Sequence, residues 1–133
     1  MVRCLLLLSG LCCAHLGAAC VMMHPDVPEA TIDASRVRDI LLGRISTWSD
    51  GTPVTVVLVA SKDCDAVLQP LTGRDSARLL RGWKRLAFTG AGVMPLVVES
   101  VREAGERIAD HPGSLVIVDV APTDPRWRVV ELH

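Results

Sequence analysis

Two short stretches of this sequence carry residue types that could do chemistry. Ser61-Lys62-Asp63-Cys64-Asp65 follows the apolar run Val54 to Ala60, and Thr89-Gly90-Ala91-Gly92 follows a helical pattern. Ser61, Lys62 and the backbone amides after them lie where a strand should meet a helix N-terminus. In an open α/β sheet that is the usual place for an anion. The plainer role is capping, with Ser61 or Asp63 holding the first turn. Thr89 and Gly90 present the same choice between amides offered to an anion and an ordinary turn. Asp63 and Asp65 weigh against an anion, and two carboxylates at a helix start are commonly just that. His15, His24, His111 and His133 are scattered, and none has metal-ligand spacing with another His or Cys. Gly-x-Ser-x-Gly, Cys-His and phosphate-loop patterns are missing as well. The sequence therefore predicts no enzyme, no metal and no cofactor.

The elements that must position these stretches follow from periodicity and punctuation. Val21-Met22-Met23 predicts a short strand. Asp33 to Leu42 predicts a helix, with Val37, Ile40 and Leu41 on one face, Asp33 as N-cap and Gly43 as the left-handed residue past its end. Trp48 sits in a polar connection, and Asp50-Gly51 reverses the chain before Pro53. Val54 to Ala60, apolar on both faces, predicts a central parallel strand. Strand, helix and strand together predict a right-handed crossover. A helical piece from Ser61 should be cut short by Pro70 and Gly73. Arg74 to Ala87 predicts the next helix, with Leu79, Trp83 and Leu86 on one face. Arg74, Arg78, Arg81 and Arg85 form a basic stripe on another. That stripe is either a solvated face or a docking surface for an acidic partner or anionic lipid. Phe88 to Gly92 should be a loop, Leu96 to Val98 a brief strand, and Ser100-Val101-Arg102-Glu103 a capping box that opens a helix. Leu115 to Val120 predicts another strand and Trp127 to Leu132 an edge strand. The sum is a small three-layer α/β domain with a mostly parallel sheet and flanking helices.

Half of the 133 residues are hydrophobic, yet only four are aromatic, so the core must be built from aliphatic side chains. A net charge of −1 gives no reason to expect nucleic acid as a partner. Arg3, the apolar run Cys4 to Ala14 and the small residues Gly17-Ala18-Ala19 predict a cleaved signal peptide over 1–19, leaving a domain over 20–133. Lipidation at Cys20 and an uncleaved anchor are the alternatives. For lipidation, Leu16 lies one position too far upstream. The expected location is the periplasm or another exported compartment. With parallel strands around Val21 and Leu58, Cys20 and Cys64 fall at opposite ends of the sheet, so no bridge is expected between them.

Asp39-Ile40-Leu41-Leu42-Gly43-Arg44-Ile45-Ser46-Thr47-Trp48-Ser49-Asp50-Gly51 resembles a segment of the phosphate-binding proteins of bacterial ABC phosphate uptake systems. There a helix ends in Leu-Gly-Lys and a Trp-x-Asp follows. The resemblance continues in order through Pro53-Val54-Thr55-Val56-Val57, Trp83, Phe88-Thr89-Gly90-Ala91-Gly92 and His111-Pro112-Gly113-Ser114-Leu115-Val116-Ile117-Val118. It covers about Val21 to Asp119 and matches the second lobe of these type 2 periplasmic binding proteins. It implies a fold like one such lobe and capture of phosphate or another small oxyanion for an ABC permease. Ser61 and Lys62, with Thr89 and Gly90, would be the anion-binding residues. Two departures stand out. The other lobe is missing, so closure would need a second subunit, as in a homodimer, or a membrane partner. The family's Arg-Ser-Asp-Gly-Ser-Gly-Thr loop is here Val59-Ala60-Ser61-Lys62-Asp63-Cys64-Asp65, which matches in type only at Ser61, with Lys62 as substitute cation. The alternative function is a periplasmic interaction or regulatory module that keeps the fold without the ligand, docking to another envelope protein.

Overall fold

A computed structural model describes residues 19–132. All but the last residue of the expected leader lies outside them. The elements run β1 (Cys20–Met23), α1 (Ala34–Leu41), β2 (Thr55–Val59), α2 (Lys62–Thr72), α3 (Ser76–Phe88), β3 (Leu96–Val98), α4 (Val101–Ala109), β4 (Ser114–Val118) and β5 (Arg128–Glu131). They build one five-stranded sheet in the order β3-β2-β4-β1-β5. β2 pairs parallel with both β3 and β4, as its two-sided apolar run predicts. This is a mixed α/β sheet with helices on both faces.

Alternation along the strands divides the core. Val56, Leu58, Leu115 and Ile117 face α1, α2 and α3, where they meet Ile40, Leu68 and Trp83. Val57, Val59, Val116 and Val118 face α4, through Ala104 and Ile108. Such alternation follows from the two-residue period of a strand. It explains why aliphatic strands with almost no aromatics still fill both layers.

Local signals set the helix ends. Asp33 accepts the Arg36 amide at 2.8 Å, and Gly43 turns left-handed at φ +78°. Ser61 and Ser100 cap α2 and α4, accepting the amides of Cys64 at 3.2 Å and Glu103 at 3.1 Å. Pro70 does not stop α2, which continues to Thr72 and ends at left-handed Gly73. α3 starts two residues later than the sequence predicts, because Asp75 is its cap, and it extends through Phe88.

The first crossover differs from expectation. β1 runs antiparallel to both its neighbours, β4 and β5. β4 separates it from β2, so β1, α1 and β2 form no parallel crossover unit. A four-residue run that is buried throughout carries no signal for strand direction. The reversal also moves Cys20. It now pairs with Val118, at the end of the sheet where Cys64 begins α2. The two cysteines thus share one end of the sheet, and both are buried thiols.

Candidate functional site

The edge at the C-terminal ends of β2 and β3 gathers the chain's helix starts. Val59 lies opposite Val98 in the parallel ladder, and the Ala60 amide donates to the Val98 carbonyl at 2.8 Å. α2 begins three residues after Val59 and α4 three residues after Val98. Two capped helix N-termini therefore open at the same level, from adjacent strands. In each, the first amides have no intrahelical acceptor by construction. Among the described residues, nothing accepts from the amides of Lys62, Asp63, Val101 or Arg102. Their partial positive charge is the resource of this edge.

Ser61 Oγ accepts the Cys64 amide, which leaves its hydroxyl hydrogen to donate. Lys62 is exposed on the first turn of α2. Arg102 takes the equivalent turn of α4 and pairs with Glu106 at 3.7 Å. Carboxylates surround these cations. Asp65 is committed to the amide of Ser76 at 3.0 Å, and Glu103 to that of Glu99 at 3.0 Å. Asp119, at the end of β4, accepts from the Cys64 thiol at 3.6 Å. Burial pushes the Cys64 thiol above its ordinary value, and burial does the same to Cys20, with Glu131 and Asp119 adding to the rise there. Both sulfurs therefore stay protonated and act as packing groups. Asp63 remains exposed beside Lys62.

An open cleft of about 710 Å³ adjoins this edge, walled by Ala66, Val67, Pro70, Leu71 and Val120, with Asp63 and Asp119 among its lining. Its walls are apolar or acidic and do not suit a small oxyanion. The donors that this edge could offer an anion are those of the helix starts.

The structure does not bring all four sequence-derived residues together. Thr89 and Gly90 close α3 and lead toward the start of β3, at the opposite end of the sheet from Ser61 and Lys62. The amides of Thr89, Gly90 and Ala91 donate to the carbonyls of Arg85, Ala87 and Leu86. The Thr89 hydroxyl donates to Leu86 at 3.0 Å. Thr89, Gly90 and Ala91 thus spend their amides on finishing the helix. Conversely, sequence reasoning found the α4 capping box without placing it beside α2, because only the sheet order shows that β2 and β3 are neighbours. No group of residues that could hold a metal ion occurs among the described residues.

No protein-family model and no curated protein sequence matches this chain. Solved structures share its fold. One is described as a phosphate ABC transporter substrate-binding protein with bound phosphate from Clostridium perfringens. It aligns at TM-score 0.66 and 15% identity, over 86% of this chain and 44% of that one. PstS from Borrelia burgdorferi aligns at 0.59 and 14% identity, over 87% and 47%. An ABC-type phosphate transport receptor from Vibrio cholerae aligns at 0.56 and 12% identity, over 86% and 46%. This chain thus shares its fold with these three proteins, over somewhat less than half of the length of each.

Proposed function

We propose that this chain is an exported solute-binding lobe that captures phosphate or a related oxyanion for an ABC importer. The observation that carries this reading is the pair of helix starts at the ends of β2 and β3, with four unclaimed amides between them. An oxyanion would accept from the amides of Lys62 and Asp63 and from the Ser61 hydroxyl, with the Lys62 ammonium supplying the full positive charge. One lobe leaves such a ligand open to water on its outer side. A second copy of the chain or a membrane partner would complete the enclosure.

Calorimetry with phosphate and then sulfate, at low salt, tests the proposal. Saturable micromolar binding is expected, and Lys62→Glu should weaken it at least tenfold. A charge-assisted hydrogen bond contributes about 1.5–3 kcal/mol, and here the replacement also repels. No heat at millimolar phosphate would end the capture reading. The second reading, an interaction module that keeps the fold without the ligand, is favoured by exposed Asp63, which sits where it opposes any anion.

A further inference from the structure

The face of α3 that points away from the core is a second, separate concentration of positive charge. At roughly 100° per residue, Arg78, Arg81, Arg85 and Phe88 fall within about 80° of arc. Leu79 and Trp83, which enter the core, occupy the opposite side of the helix. Arg74 precedes the helix, yet its guanidinium folds back along it. A Cβ on Gly82 would stand 3.0 Å from Arg74 Nη1. The four arginines and Gly82 line one open cleft of about 270 Å³.

None of these arginines has a carboxylate within ion-pair distance among the described residues. Arg36, Arg44, Arg102 and Arg126, elsewhere on the surface, each have one. Asp75, which lies between Arg74 and Arg78 in sequence, is engaged in capping α3 at the Arg78 amide, 2.9 Å away. The stripe serves the helix only in its last turn, where Arg85 complements the dipole. Like charges three and four residues apart destabilise it, and Arg78 in the first turn opposes the helix dipole. An external anion is what such an arrangement lacks.

Phe88 identifies the kind of anion. It continues the stripe by one more step and is 93% exposed. A protein partner would be met by an apolar centre with a charged rim. Here guanidinium groups form the centre and a single apolar side chain, Phe88, stands at one end. We propose that α3 docks on an anionic phospholipid surface, with the arginines on the headgroup phosphates and Phe88 inserted at the acyl boundary.

The test is sedimentation of the full chain with phosphatidylcholine vesicles, with and without phosphatidylglycerol. The neutral vesicles set the baseline for any binding through the apolar run Cys4 to Ala14. The anionic vesicles should bind more, and about 0.5 M salt, with a screening length of roughly 4 Å, should remove the excess. Arg81→Glu with Arg85→Glu should lower the excess by more than about 25-fold, since each basic residue near such a surface contributes roughly fivefold. Phe88→Ser should lower it about tenfold without changing its salt dependence. Lys62→Glu should leave it unchanged, which separates this surface from the capture edge. Thermal melts within about 2 °C of the parent would confirm that the exposed substitutions leave the fold intact. Equal binding to both vesicle types, or full binding by the double variant, would overturn the proposal. Saturable binding of free phosphate that the double variant abolishes, without vesicle binding, would overturn it in favour of a small-anion site.

Discussion

Gly113→Ala is expected to destabilise the protein by about 3–5 kcal/mol, the largest effect of any single methyl group added to this fold. The residue is buried in the turn that leads from α4 into β4. A Cβ there would fall on the Pro53 carbonyl oxygen, well inside van der Waals contact, and 3.4 Å from Trp48 Nε1. Both neighbours are held in place. The Gly113 carbonyl accepts the Thr55 amide at 3.0 Å and Trp48 Nε1 at 2.9 Å. Moving the backbone to admit the methyl group therefore loosens two buried hydrogen bonds, each worth about 1 kcal/mol, on top of the overpacking cost of roughly 1–3 kcal/mol. It also disturbs the register between β2 and β4. Urea unfolding measures the effect, with Gly51→Ala as comparison. Gly51 has open space around it, and its φ of +87° makes that substitution cost only about 1 kcal/mol. A Gly113→Ala protein within 1 kcal/mol of the parent would mean that Pro53 and Gly113 do not meet.

Trp83→Ala should cost about 3–5 kcal/mol as well, by creating a cavity. The residue is 7% exposed and closes the layer between α1 and α3. Nε1 donates at 2.8 Å to the Leu41 carbonyl, one of the carbonyls that the end of α1 leaves without an intrahelical partner. The same ring lies 3.5 Å from where a Cβ would sit on Gly43 and 3.2 Å from one on Gly92. Three separate connections thus lean on it. Trp83→Phe, which keeps most of the apolar contact and loses the donor, should cost about half as much. At about 4 °C per kcal/mol for a chain of this size, the alanine variant should melt at least 10 °C lower. A shift under 3 °C would show that Trp83 is not what joins α1 to α3.

The two substitutions act at residues that the sequence marked for different reasons. Trp83 was legible as a core residue because it repeats with Leu79 on a helical face. Its bond to Leu41 was not, since it spans 42 positions. Gly113 stood out in sequence only within the run His111-Pro112-Gly113, because the oxygen that forbids a side chain belongs to Pro53. The candidate capture edge divides in the same way. Ser61 and Lys62 were visible as the start of a helix after a buried strand. Val101 and Arg102, on the neighbouring helix start, became part of the edge only through the pairing of β2 with β3. Thr89 and Gly90 looked equivalent to Ser61 and Lys62, and tertiary placement separated them by the length of a strand.

What the sequence determined by itself is the set of elements and several of their ends. Asp33 and Ser100 cap the helices the sequence assigned them to, Ser61 rather than Asp63 caps α2, and Gly43 closes the first helix. Each signal acts within about four residues, so no distant contact is needed to read it. The α/β class follows from those elements, as does the arginine face, because helical spacing alone aligns Arg78, Arg81 and Arg85. Only the tertiary structure decided the direction of β1, the order of the strands, the meeting of Cys20 and Cys64 at one end, and the return of Arg74 along α3. The reason is physical. A strand buried on both faces presents the same apolar pattern whichever way it runs, so competing packings settle its direction.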